Sequence, residues 1–441
     1  MLSPAAVYPL VQDWLQAMGA VPHPMACAAL AQLVAALLVG QSLRPSALMR
    51  ALLSPDAVPA RQRYKRVARA WDRRWLTPAW LTPRLVRAAL ALVPAGAAGE
   101  THLALDSVRC GPWEVFTVGV VWHGRVLPVG WAVLPYPWPK KRFTPTVCAL
   151  VAQVAAAWPA DRPVHLVADR AFPSRPLLRA LRDAGWGFTL RLRAQHWVRV
   201  AGAAHPVRAR LAGADPDRWT ATAAAYGAGA ADLVGTLVVG RGLAVLPAWQ
   251  ATPGSLRHRA ARAARRQQHL ATKHPGRPDG SAQTDGWVVL FSTQPTWRAA
   301  VTSYRRRWGT EGSYRDAQGG WDGRHGWDLE PTLARLTEQT AVEAVVGLWA
   351  LGTLVQSWVG DQVGCPAAPA PVRAVRREWT TTGRLSVWAR GHFALTEPTG
   401  RLRLWLADTL TRGAQRIAPP PGPTSVSPHP TQAAIATRTA A

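Results

Sequence analysis

Thr101–Pro135 reads THLALDSVRCGPWEVFTVGVVWHGRVLPVGWAVLP, and its pattern decides the fold class. Leu103 and Leu105 alternate with Ala104 and Asp106, the period of two that marks a strand. Gly111-Pro112 breaks the pattern. Two further apolar runs, Glu114–Trp122 and Arg125–Pro135, follow about His123-Gly124, a turn pair. Three strands joined by such short connections predict an antiparallel meander.

Beyond the meander, Thr144–Trp158 carries helical spacing and Pro163–Asp169 (PVHLVAD) reads as a buried strand. Ser174–Ala184 follows as a helix and Gly185–Arg193 (GWGFTLRLR) as a further strand. Meander, helix, strand, helix, strand is the order of a ribonuclease H-like sheet. The expected fold class is therefore α/β, with such a catalytic core begun over 96–193 and resumed over 297–345. Between them, residues 194–296 hold the strand-like runs LVGTLVV, LAVLPAW and GWVVLFST, so a mainly β insertion interrupts the core. Within it, residues 255–284 form a basic loop; Arg257–Arg277 carries seven basic residues and no acid, which suits contact with phosphates.

The flanks read as helical. In residues 1–95, Val7–Met18, Met25–Leu38, Ser46–Leu53 and Arg61–Trp75 have apolar residues at helical spacing, with Ser46 expected as an N-cap. The last of them, RQRYKRVARAWDRRW, interleaves bases with aromatics, as a helical DNA-binding region would. In 346–416 the expected helices are the end of a long apolar one, Pro331–Gly360, then Arg384–Ala389 and Arg401–Thr411. Residues 417–441, dominated by Pro, Ser, Thr and Ala, are expected to be a disordered tail.

Composition narrows the partner. The 441 residues carry 52 Lys and Arg against 25 Asp and Glu, a formal net charge of +27. Such an excess points to a polyanion, most simply nucleic acid. Cys27, Cys110, Cys148 and Cys365 are scattered without zinc-site spacing, and predict incidental or buried thiols in a reducing compartment. No signal peptide is evident, and the apolar run Ala28–Val39 is too short to span a bilayer, so the expectation is a cytoplasmic, nucleoid-associated protein without a membrane partner.

Three carboxylates stand out. Asp106 lies on the first strand and Asp169 at the carboxyl end of a later one, where ligands gather in open α/β sheets. Glu311, one of eight glutamates, sits in Tyr304–Gln318 (YRRRWGTEGSYRDAQ). On one continuous helix, Tyr304, Arg307, Glu311 and Gln318 would share an arc of roughly 60°. An aromatic, a guanidinium, a carboxylate and an amide on one face suit phosphate contact beside a cation. Three carboxylates are enough to hold two divalent ions for phosphodiester chemistry.

LALDSV, VADRAF, WVVLFST and the Y-(2)-R-(3)-E run of Tyr304, Arg307 and Glu311 together resemble the DDE transposases of bacterial insertion sequences, in the IS-four-type branch. The resemblance covers about 100–345, in order. It implies a ribonuclease H-like core with a β insertion, and a DNA transposase that cleaves insertion-sequence ends and transfers the strand into target DNA. By the same resemblance Asp106, Asp169 and Glu311 are the catalytic, metal-binding triad, holding two Mg²⁺ for which Mn²⁺ can substitute. Tyr304 and Arg307 would contact phosphate, and Trp287 would stack on a flipped base. The partners implied are double-stranded DNA, both ends and target, and a second copy of the chain in a synaptic homodimer. The chain departs from the family at Gln318, where a Lys is usual. The other readings are a catalytically inactive, transposase-derived DNA-binding protein, and a ribonuclease H-like nuclease that does not transpose.

Overall fold

The meander forms as expected: β1 (Thr101–Cys110), β2 (Trp113–Trp122) and β3 (Arg125–Pro135) pair antiparallel, with Asp106 opposite Thr117 and Thr117 opposite Trp131. The computed structural model describes residues 4–52, 58–71, 74–93, 99–211, 218–229, 232–241, 287–318, 326–364, 387–396 and 400–419. The basic loop 255–284, the run LAVLPAW and nearly all of the expected tail lie outside the described residues, as does Cys365. Cys27 and Cys110 are free and buried, and Cys148 is free and half-buried.

Among the described residues seven more strands follow: β4 (Val164–Ala168), β5 (Gly187–Arg191), β6 (Trp197–Val200), β7 (Ala203–Pro206), β8 (Arg218–Tyr226), β9 (Val234–Arg241) and β10 (Trp287–Ser292). All ten belong to one mixed sheet, ordered β3-β2-β1-β4-β5-β10-β9-β8-β6-β7, so the protein is α/β. β4 runs parallel to β1 and β5 parallel to β4. The described strands of the insertion do not stand apart from this sheet. β10 pairs antiparallel with β5, Leu290 opposite Arg191, and so covers an edge that β5 would otherwise expose.

Strand register sorts side chains between the two faces, because Cβ atoms alternate. One face carries Ala104 and Asp106 on β1, Val167 on β4, Thr189 and Arg191 on β5, and Val288 and Leu290 on β10. The other carries Leu103, Leu105, Leu166, Phe188, Leu190, Val289 and Phe291, all buried in the main core. Over the first face lie α9 (Trp297–Arg305) and α10 (Trp308–Gln318), where Ala300, Val301, Tyr304 and Trp308 pack with Val238, Val288 and Leu290.

Before them in the chain come α1 (Pro4–Ala17), α2 (Pro24–Gly40), α3 (Pro45–Ala51), α4 (Ala60–Trp71) and α5 (Pro78–Leu92), then α6 (Phe143–Ala157), α7 (Arg175–Asp183) and the short α8 (Val207–Leu211). The first four answer the expected helices. Ser46 is not the cap of α3: Arg44 holds that position and Pro45 is the first helical residue, where its missing N–H is harmless. α5 lies outside the four segments named from sequence; Pro83 interrupts its pattern, yet seven of its residues are buried. On α4 only Val67, Ala70 and Trp71 are buried, leaving Arg61, Lys65, Arg66 and Arg69 on an exposed basic face.

The expected single helix over Pro331–Gly360 is two, α11 (Leu329–Leu333) and α12 (Gln339–Gly364). α12 is long and apolar enough by composition to cross a membrane, and 94% of its most apolar window is buried within this chain. α13 (Val387–Thr396) and α14 (Gly400–Ile417) are the last helices among the described residues. The amino- and carboxyl-terminal helices share one core. Trp14 Nε1 donates to the Leu410 carbonyl at 2.6 Å, and Trp358 Nε1 to that of Thr409 at 3.1 Å.

Candidate active site

The Tyr304–Gln318 stretch is not one helix. α9 stops at Arg305, and the amides of Arg307, Gly309 and Thr310 bond back three residues, to the carbonyls of Tyr304, Arg306 and Arg307. These tight turns replace the four-residue ladder between α9 and α10. The break is driven by burial: Tyr304, Arg307 and Trp308 are all buried under this corner. Gly309 and Gly312 have a structural reason at the same place. A Cβ on Gly309 would stand 3.2 Å from the Arg125 carbonyl oxygen, and one on Gly312 would stand 2.7 Å from the Arg125 guanidinium. The glycines let α10 press against the start of β3, where Arg125 also pairs with the buried Asp316.

The three carboxylates meet at Arg307. Its Nη1 donates to Asp106 Oδ2 at 3.0 Å and its Nη2 to Glu311 Oε1 at 2.8 Å. Asp106 Oδ2 also accepts from Thr310 Oγ1 at 2.6 Å, while its Oδ1 accepts the Ser107 amide at 2.9 Å. Asp169 Oδ1 accepts from the Tyr304 hydroxyl at 3.3 Å and lies 3.7 Å from Arg191 Nη1. A strand, a strand end and a helix thus deliver three acids to one place, against two guanidinium groups.

The electrostatics follow burial and neighbours. Burial raises the Asp106 pKa, with Arg307 and Thr310 opposing it incompletely. Burial also pushes Asp169 up, but Arg307 and Arg191 outweigh it and hold that carboxyl below its ordinary value. Burial raises the Tyr304 hydroxyl to about 12, so it stays a donor. For Arg307 burial works against the charge, and Tyr304 with the three carboxylates reverses that, leaving a permanent cation. Its Nε has no partner among the described residues.

Asp106, Asp169, Glu311, Tyr304 and Arg307 are therefore together. Tyr304 and Arg307 do not project outward for a phosphate; both are buried and turned onto the acids. Gln318 ends α10, half-buried, and among the described residues makes no hydrogen bond to the group. Trp287 is on the opposite face of β10 from Val288 and Leu290, half-buried against the main core rather than beside α9.

Two members went unread from the sequence, Thr310 and Arg191. Arg191 carried a usable signal, a base at the carboxyl end of the strand next to that of Asp169. Thr310 carried none, because its role depends on the break before α10. Three carboxylates offer the hard oxygen donors that suit Mg²⁺ or Mn²⁺. Among the described residues no three such side chains are placed to hold an ion, and Arg307 takes the position between Asp106 and Glu311. The donor chemistry fits the ions, with the guanidinium as the present counter-charge. No protein-family model matches the chain, and no curated protein matches it significantly.

Proposed function

We propose that this chain is a DNA transposase of the DDE type, with a ribonuclease H-like core, that cleaves the ends of an insertion sequence and joins them to target DNA. The observation that carries the reading is the convergence of Asp106, Asp169 and Glu311 about Arg307, from three segments far apart in sequence. Supporting it, β3-β2-β1-β4-β5, with the first three antiparallel and the last two parallel to β1, is the strand order of that core. The formal charge of +27 and the exposed basic face of α4 suit a DNA partner.

Asp106, Asp169 and Glu311 would hold the divalent ions, whose chemistry is to activate the attacking oxygen and stabilise the leaving one. The other residues orient that set. Thr310 and the Ser107 amide fix both oxygens of Asp106, and the Tyr304 hydroxyl and Arg191 hold Asp169. Glu311, with a side chain 41% exposed, is the most open of the three to solvent. Arg307 neutralises the acids and keeps them close when no other cation does so.

The test is Mg²⁺-dependent cleavage of duplexes bearing the element's own end sequence, beside random duplex. We expect Asp106→Asn, Asp169→Asn and Glu311→Gln each to abolish cleavage while end binding survives. Equal cleavage of random DNA would indicate a nuclease without transposition. Binding without cleavage by the unaltered chain would indicate an inactive, DNA-binding derivative, a reading that the placement of Arg307 between the acids favours.

A further inference from the structure

The connection from β3 to α6, residues 136–142 (YPWPKKR), lies at the carboxyl ends of β1 and β4, the end of the sheet that carries Asp169. A row of aromatic rings leads from it to the acid. Trp138 stands 4.7 Å from Phe143 between ring centroids, and Phe143 stands 5.8 Å from Phe172. The Phe172 amide in turn donates to the Asp169 carbonyl at 3.2 Å. Phe172 is buried and Phe143 half-buried, but Trp138 is 41% exposed, beside the exposed Lys140, Lys141 and Arg142. Among the described residues none of these three bases is paired with a carboxylate. Lys141 holds a left-handed backbone conformation, φ 64°, which non-glycine residues rarely adopt without a reason. Arg109 lies over the Tyr136 ring at 3.8 Å and adds charge to the same corner.

A partly exposed tryptophan ring beside cations that no carboxylate among the described residues neutralises has the chemistry of a ledge for single-stranded nucleic acid, where a base stacks and the backbone follows the charges. We propose that Trp138 stacks on an unpaired base of a DNA strand leaving the site, with Lys140 and Lys141 on its phosphates. The proposal rests on the reading above that the triad acts on DNA. It assigns a contact that neither the triad nor the basic helix α4 provides.

The probe is a fluorescent 20-nucleotide single strand, alone and as the overhang of a duplex, titrated by anisotropy across a salt series. Trp138→Ala should weaken binding of the overhang about ten-fold, within the range of 5- to 150-fold that base stacking supports. Trp138→Phe should retain most of it, and blunt duplex should be bound equally by all three. Lys140→Gln with Lys141→Gln, which touches no packed ring, should reduce the log–log salt slope by about 1.4 for a single strand. A thermal melt of each variant guards against misfolding. If the unaltered chain binds and cleaves DNA while Trp138→Ala and the double variant both leave overhang binding and slope unchanged, the ledge is wrong and the transposase reading stands. If the unaltered chain binds no DNA, both fall.

Discussion

Arg307 donates to Asp106 at 3.0 Å although 201 residues separate them, so a guanidinium delivered by the turn between two helices closes onto the first strand of the sheet. The same group reaches Glu311, and its side chain is only 6% exposed. Removing it leaves acids near one another with one fewer counter-charge. We expect Arg307→Ala to lose about 3 kcal/mol, the low end for breaking a buried pair, since Glu311 is partly solvated. Millimolar Mg²⁺ should restore much of the loss, and should stabilise the variant more than the unaltered chain. Melting curves with and without the ion, and with EDTA, decide it; no differential effect of Mg²⁺ would mean that the acids do not form an ion site.

Arg125 is the second anchor of the same helix. Its partner Asp316 has a side chain 4% exposed, and burial raises that carboxyl's pKa despite the nearby cation. Arg125→Ala should therefore destabilise by about 3 kcal/mol. It should also lower cleavage more than DNA binding, because α10 carries Glu311. Arg125→Ala with Asp316→Asn should recover stability relative to the single change, which a chemical-denaturation midpoint can measure.

Trp287 is expected to behave as a packing residue. It is half-buried against the main core, so Trp287→Ala should lose about 2–3 kcal/mol, somewhat below the cost for a fully buried tryptophan. A normal melt with weakened cleavage, partly rescued on an end lacking one base, would restore it to the DNA contact that the family resemblance implies.

The pH dependence should carry the mark of His102. Burial lowers its pKa from 6.5 to about 4, helped by Arg306 and His165 and opposed by Glu100. The folded chain holds this ring neutral while the unfolded chain protonates it near 6.5. Stability is therefore full above that value and falls as the pH drops towards about 4, by roughly 3 kcal/mol for this one group. His196, also lowered to about 4, adds to the loss with the same sign. Urea midpoints at pH 7.5 and 5 should differ less in His102→Gln than in the unaltered chain. An equal difference in both would assign the loss to other groups.

Much of this architecture was legible from local pattern. Alternation over Thr101–Pro135 gave the three strands, and PVHLVAD gave the strand that ends before Asp169, because both depend on residues adjacent in sequence. Two kinds of feature were not legible. Pairing of β10 with β5 joins residues about 100 apart, and nothing in GWVVLFST says which strand it will meet. The break at Arg306-Arg307 likewise goes with burial of Tyr304, Arg307 and Trp308 against partners far off in sequence, Asp106 among them, and helical spacing alone favours continuity. Gly309 and Gly312 were visible as helix-weakening residues. Their use, close approach to Arg125, needed the neighbouring strand.

The unbroken sheet has a mechanical consequence. Only residues 293–296 separate the end of β10 from the start of α9, and Thr296 is pinned as the helix cap by its bond from the Ala299 amide at 3.2 Å. A ten-stranded sheet joined strand to strand acts as one stiff beam, and β10 is the plank to which the helices bearing Tyr304 and Glu311 are lashed. A displacement of β10 would therefore reach α9 across four residues, one of them the capping Thr296, which leave little slack between strand and helix.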